Sequence, residues 1–146
     1  MSKQDFSKTF LFDKSPGEVF DAVNNVRGWW STLLEGSSGK EGDVFIYRHK
    51  DIHASTQKLV EVVKNKKVTW LVTDSHLSFL EKKPDEWTGT TISFEIEPAG
   101  NKTKLYFTHH GLTPQKECFE DCSGGWNFYL QSLAELISTG EGQPDK

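Results

Sequence analysis

The chain has 146 residues, a formal net charge of −4 from 17 Lys+Arg against 21 Asp+Glu, and a pI near 5.7. That length suits a single domain over residues 1–146 with a core needing no staples, and the acidic balance argues against a nucleic-acid binder while leaving room for a local basic patch. No apolar run approaches the ~20 residues that cross a bilayer, and Met1-Ser2-Lys3-Gln4-Asp5 lacks the apolar stretch of a secretory leader, so the expected location is cytoplasmic with no membrane partner.

Phe6, Phe10 and Phe12 give Asp5 to Phe12 a partly alternating strand pattern. Ser15-Pro16-Gly17-Glu18 then starts a helix. Ser15 is suited to cap it, Pro16 stands at the first helical position where a missing N–H costs nothing, and Glu18 completes a reciprocal capping box. Val19, Phe20 and Val23 supply its buried side, Asn24-Asn25 ends it, and Arg27 to Leu34, with Trp29-Trp30, reads as a second short helix. The polar, glycine-rich stretch from Glu35 to Asp43 is a loop too short to link domains, and it lacks a phosphate-cradling pattern.

Strands are expected at Val44 to His49, Ala54 to Lys64, Val68 to Asp74, Thr90 to Glu97 and Lys102 to His110. Turns at Lys64-Asn65-Lys66-Lys67 and Pro98-Ala99-Gly100-Asn101 are short, so neighbouring strands run antiparallel. Ser75 to Gly89 is the longest irregular piece and is expected to overhang the sheet as a lid. Parity sorts Val68, Trp70 and Val72, then Ile92, Phe94 and Ile96, then Leu105, Phe107 and His109 onto one apolar face, with Thr, Ser, Glu and Lys opposite. His110 faces away from His109.

Beyond Gly111-Leu112-Thr113-Pro114 the chain reads as one long amphipathic helix, capped by Thr113 and stopped at Thr139-Gly140. Its inward stripe is Phe119, Cys122, Trp126, Tyr129, Leu130, Leu133, Leu136 and Ile137, spaced by threes and fours. Gly124 and Gly125 cost roughly 1 kcal/mol each against alanine, whereas each large side chain from Trp126 onward contributes roughly 1.5 to 3 kcal/mol on burial. Packing wins, so the helix runs on, and the glycines mark a kink, a close approach to the sheet, or a restart capped by Ser123. A helix of about 25 residues at ~1.5 Å each is too long for a small flat sheet. The sheet is therefore expected to curve around it and leave a hollow.

Cys118 and Cys122 lie four apart in this helical pattern, emerging nearly parallel, a geometry that suits a disulfide poorly; reduced thiols are expected. A zinc site from these two with His109 and His110 lacks the usual two-residue spacer and convergent histidines, so neither a metal nor any cofactor is expected.

A strand, two short helices, a run of antiparallel strands and one long terminal helix is the order of the α+β helix-grip fold. Ser15-Pro16 with Val19-Phe20, Trp29-Trp30, Gly42-Asp43-Val44-Phe45, Glu61-Val62 followed by Val68-Thr69-Trp70, His110-Gly111-Leu112, and Gly125-Trp126 with Tyr129-Leu130 and Leu133 follow one another as in a known family. By these residues the chain resembles a single-domain member of the activator of heat-shock-protein-ninety ATPase homologue family. That family sits in the START-like (SRPBCC) superfamily, with Bet v allergens and polyketide cyclases. The resemblance spans nearly the whole chain. It implies small-ligand carriage for single-domain members, whereas two-domain activators use a further N-terminal domain to grip the chaperone, and no such domain is expected here.

Trp29, Trp30, Tyr47, Trp70, Trp87, Trp126 and Tyr129 suit either a cavity for a flat or greasy guest or a solid core. The expected pocket lies between sheet and terminal helix at Trp30, Tyr47, Trp70, Phe94, His109, Cys122, Trp126 and Tyr129, holds a small hydrophobic or aromatic molecule, and contains no assigned catalytic residue. His109 reads either as an acid, base or ligand hydrogen-bonder on an apolar face, or as a satisfied core residue. On the first reading His109→Ala weakens ligand binding more than folding. Two further readings stand beside ligand binding. One is a stress-response interaction module for a heat-shock-protein-ninety-type chaperone, which needs an exposed contact patch. The other is a START-like enzyme, which needs a second polar group facing His109. The chain is expected as a monomer or a homodimer.

Overall fold

A computed structural model describes residues 5–32, 34–49, 53–78, 84–114, 116–117 and 119–144. The strands are β1 (Phe6–Phe12), β2 (Glu35–Gly36), β3 (Val44–His49), β4 (His53–Val63), β5 (Lys67–Leu77), β6 (Thr91–Ala99) and β7 (Lys102–His110). The helices are α1 (Pro16–Asn24), α2 (Val26–Trp29) and α3 (Phe119–Thr139). All strand pairs are antiparallel, in one sheet ordered β1-β7-β6-β5-β4-β3-β2, against which α3 lies.

The start of α1 is the expected capping box: the Glu18 amide donates to Ser15 Oγ at 3.2 Å, and the Ser15 amide donates back to Glu18 Oε1 at 2.9 Å. The backbone hydrogen bond from Ser15, followed by its hydroxyl, holds the Glu18 carboxyl below the usual carboxylate range. Helix α2 is shorter than expected, and Trp30 is its C-cap, with both Trp29 and Trp30 buried. Gly28 makes its approach to α3 possible, because a Cβ there would sit 2.5 Å from Asn25 Nδ2 and 3.1 Å from Leu136 Cδ2.

The nine residues that parity places on the apolar face are all buried, none more than 5% exposed. On β4 the register shifts between Thr56 and Gln57 and between Leu59 and Glu61, which are bulges, and bulges bend and twist a sheet. The first explains why β5 continues to Leu77 rather than stopping at Asp74. Val72 pairs with Gln57 and Asp74 with Thr56, so the inward set changes from Val72 to Ser75 and Leu77.

The lid expected from Ser75 to Gly89 is corrected by the same strand. Ser75 to Leu77 belong to β5, and residues 84–90 are tied to it by Leu77 N to Pro84 O at 2.7 Å, Val72 N to Thr90 O at 2.9 Å and Gly89 N to Val72 O at 2.8 Å. Residues 79–83 lie outside the described residues. Trp87, carried by this segment, is only 4% exposed.

Helix α3 starts at Phe119, later than the Thr113-Pro114 signal implied, and runs unbroken through Ser123-Gly124-Gly125. At 21 residues it is roughly 31 Å long. Close approach to the sheet is not the reason for its glycines: a Cβ on either Gly124 or Gly125 would meet nothing within 4 Å. Among the described residues no helix is long and apolar enough to cross a membrane.

Candidate functional site

Where α3 faces β3 and the start of β4, packing leaves a cavity of about 60 Å³ lined by Trp30, Tyr47, His53, Trp87, Cys122, Gly125, Trp126 and Tyr129. Tyr47 comes from the inner face of β3 and His53 is the first residue of β4. Cys122, Gly125, Trp126 and Tyr129 are spaced by threes and fours, so they share one side of α3. Around the space the rings close a circuit. Centroid separations are 4.5 Å for Trp30–Tyr47, 5.1 Å for Tyr47–His53, 4.8 Å for His53–Trp87, 5.8 Å for Trp87–Trp126 and 5.2 Å for Trp126–Trp30. Tyr129 stands 6.2 Å from both Trp30 and Tyr47.

The polar atoms on this wall are mostly engaged. The Tyr47 and Tyr129 hydroxyls lie 2.9 Å apart, and Trp87 Nε1 donates to Cys122 Sγ at 3.3 Å. Gln57 Nε2 donates to Ser55 Oγ at 2.7 Å, which leaves the Ser55 proton for His53 Nε2 at 3.1 Å. Burial, with a smaller contribution from His49, pushes the His53 imidazole down to about 4, so it is neutral near pH 7. Trp30 Nε1 differs from the other indoles of the wall: it is buried and has no hydrogen-bond partner.

His109 is fully buried behind the cavity. Trp126 Nε1 donates to His109 Nδ1 at 3.1 Å, and an indole can only donate, so the ring proton belongs on Nε2. Nε2 then donates to Thr90 Oγ1 at 2.8 Å, whose own proton goes to the Trp87 carbonyl at 2.6 Å. This directed string ties α3, β7 and the 84–90 segment together. Burial first, and the charges of His110, Lys116 and His53 after it, push His109 down to about 3. Both ring nitrogens are therefore satisfied within the core, which supports the core reading over the ligand-contact reading. His109→Ala is expected to lower unfolding free energy by about 2 to 4 kcal/mol, through lost packing and an orphaned indole N–H; denaturant melts at pH 7 check it. His110 faces outward, 3.0 Å from Ser93 Oγ and 3.6 Å from Asp5 Oδ2.

Of the eight residues expected at the pocket, Trp30, Tyr47, Cys122, Trp126 and Tyr129 line the cavity. Trp70, Phe94 and His109 stand behind its wall: Trp70 stacks on Trp30 with centroids 5.8 Å apart, and Phe94 packs on Trp70 at 4.9 Å. Three lining residues were not placed there from sequence, namely His53, Trp87 and Gly125. Gly125 follows Cys122 by three and precedes Tyr129 by four, a spacing that marks it in retrospect. Trp87 appears among the candidate aromatics, but irregular chain has no period to orient it.

Cys122 is disulfide-bonded, where a reduced thiol was expected. The expectation ran one helix through both cysteines, whereas Lys116 and Glu117 before α3 are not helical; Cys118 lies outside the described residues. No group of three or more His, Cys, Asp or Glu able to hold a metal ion occurs among the described residues.

A curved antiparallel sheet gripping a C-terminal helix, with short helices after the first strand, makes this a helix-grip protein. The chain belongs to the family described as "Activator of Hsp90 ATPase homolog 1-like protein", whose profile matches residues 13–138. No curated protein sequence matches it. Among solved structures it is similar to the Aha1 dimer from Colwellia psychrerythraea, with 24% identity over 94% of this chain and 98% of that one and a TM-score of 0.75. Protein MLL2253 from Mesorhizobium loti has 15% identity over 90% of this chain and 96% of that one, TM-score 0.70. CalU16 from Micromonospora echinospora has 19% identity over 92% and 76%, TM-score 0.63. At these identities the likeness is one of fold.

Proposed function

We propose that the protein binds a small, uncharged, largely apolar molecule, part of which enters the ring-lined cavity beside α3. The observation that carries this is the closed circuit of Trp30, Tyr47, His53, Trp87 and Trp126 around open space at the junction of sheet and helix, since a mostly apolar concave space is where small molecules bind. Among the described residues no Lys, Arg, Asp or Glu lines it, so a charged guest would find no counter-ion among them. Native mass spectrometry of protein purified from its own host is expected to retain a small molecule, and tryptophan fluorescence is expected to change when small aromatic ketones or esters are added. A protein that emerges empty and whose fluorescence is indifferent to such compounds lacks this function.

Membership of the family favours a second reading, contact with a heat-shock-protein-ninety-type chaperone. Phe128, 56% exposed on α3, supplies an apolar contact point outside the cavity. A pull-down with the host chaperone followed by an ATPase assay, with Phe128→Ser as the comparison, separates the two readings. The same native spectra count subunits, and the similarity to a dimeric Aha1 makes a homodimer the species to look for.

A further inference from the structure

Building on the ligand-binding reading, we infer that the group seated in the cavity is acetyl-sized and bears a hydrogen-bond acceptor to which Trp30 Nε1 donates, in space held open by the missing side chain of Gly125. Three observations carry it. Trp30 is 2% exposed and lines the cavity, yet its Nε1 is a buried donor without a partner, while Trp87 and Trp126 have theirs. A buried donor left unsatisfied is unfavourable, so a guest that supplies an acceptor is preferred to one of the same shape that does not.

The volume sets the size. About 60 Å³ is roughly two waters' share of the liquid, whereas a cavity that takes benzene is about 150 Å³. A carbonyl with its methyl fits within; a whole ring does not. The rest of the ligand must leave past His53, Gly125 and Tyr129, the lining residues that are partly exposed.

Gly125 sets the limit. Glycine inside a helix is unfavourable and is ordinarily explained by a neighbour packed too close for a side chain, but a Cβ here would meet nothing within 4 Å, and Gly125 faces the cavity. Gly124, equally unobstructed but exposed and not part of the wall, is the internal control.

The test uses acetophenone and α-methylstyrene, which differ in carrying C=O or C=CH2 at the same place. Dissociation constants are measured by titration of ¹⁵N-labelled protein, following the indole N–H resonances. Acetophenone is expected to bind about tenfold or more tightly than the hydrocarbon and to shift the Trp30 N–H signal downfield. Trp30→Phe, which keeps a ring and removes the donor, is expected to erase the preference. Gly125→Ala is expected to weaken acetophenone about tenfold while Gly124→Ala leaves it within about twofold, although both variants gain the same helix propensity. Equal affinity for the two probes, a preference that survives Trp30→Phe, or identical behaviour of the two glycine variants overturns the inference and leaves ligand binding standing. Failure of the wild-type protein to bind either probe overturns both.

Discussion

Replacing Trp126 with alanine is expected to lower the unfolding free energy by about 3 to 5 kcal/mol, the largest effect of any single truncation in this core. The indole is 2% exposed and packs against Phe107 at 4.7 Å, Trp30 at 5.2 Å and Trp87 at 5.8 Å between centroids. Its removal extends an existing cavity rather than opening an isolated one, so neighbours have little to collapse onto. It also takes away the donor that fixes the His109 tautomer. Trp126→Phe separates these contributions, keeping most of the ring and losing the hydrogen bond, and is expected to cost about 1 to 2 kcal/mol. Urea or guanidinium unfolding at pH 7 measures both; an alanine variant within about 1 kcal/mol of wild type means that the helix is not anchored through this residue.

Acidification is expected to have an effect of similar size. His53 and His109 are held at about 4 and about 3 in the folded protein, against an ordinary value of 6.5. Both folded values are depressed, so the unfolded chain binds more protons at every pH between them and 6.5, and stability falls as pH falls. The loss begins near pH 6.5, continues at about 1.4 kcal/mol per pH unit for each histidine, and levels off near the folded values. By pH 5 the two together cost about 4 kcal/mol, a large share of the 5 to 15 kcal/mol typical of a domain. Unfolding free energies at pH 7 and pH 5 test this, and a flat profile means that one or both imidazoles reach a proton while folded. His109→Phe is expected to halve the slope.

Much of the fold follows from local chemistry. The Ser15 to Glu18 box, the parity of β5, β6 and β7, and the stripe from Cys122 to Ile137 each depend on neighbours within a few positions, and each stands in the structure. The far end of β5 was hidden because a bulge resets parity at Thr73, and alternation cannot register an extra residue. The site was legible only in part. That His109 faces inward is a matter of strand period, but its partners Trp126 and Thr90 lie 17 and 19 residues away, so its role depends on how helix and sheet meet. His53 shares the inner face of β4 with the polar residues Ser55 and Gln57, which mask that face as apolar. The opening beside Gly125 is a property of what surrounds a missing side chain, and no pattern in one segment records it.

The pairing of β1 with β7 governs how the chain acquires this shape. Phe6 sits opposite His109 and Phe12 opposite Thr103, so the first strand docks on the last. Contacts between such distant positions slow folding, because the intervening polymer must be closed into a loop before the pair is rewarded. During synthesis, Phe6, Phe10 and Phe12 leave the ribosome long before their acceptor strand exists, and this unpaired aromatic ribbon is open to self-association while the polypeptide is still growing.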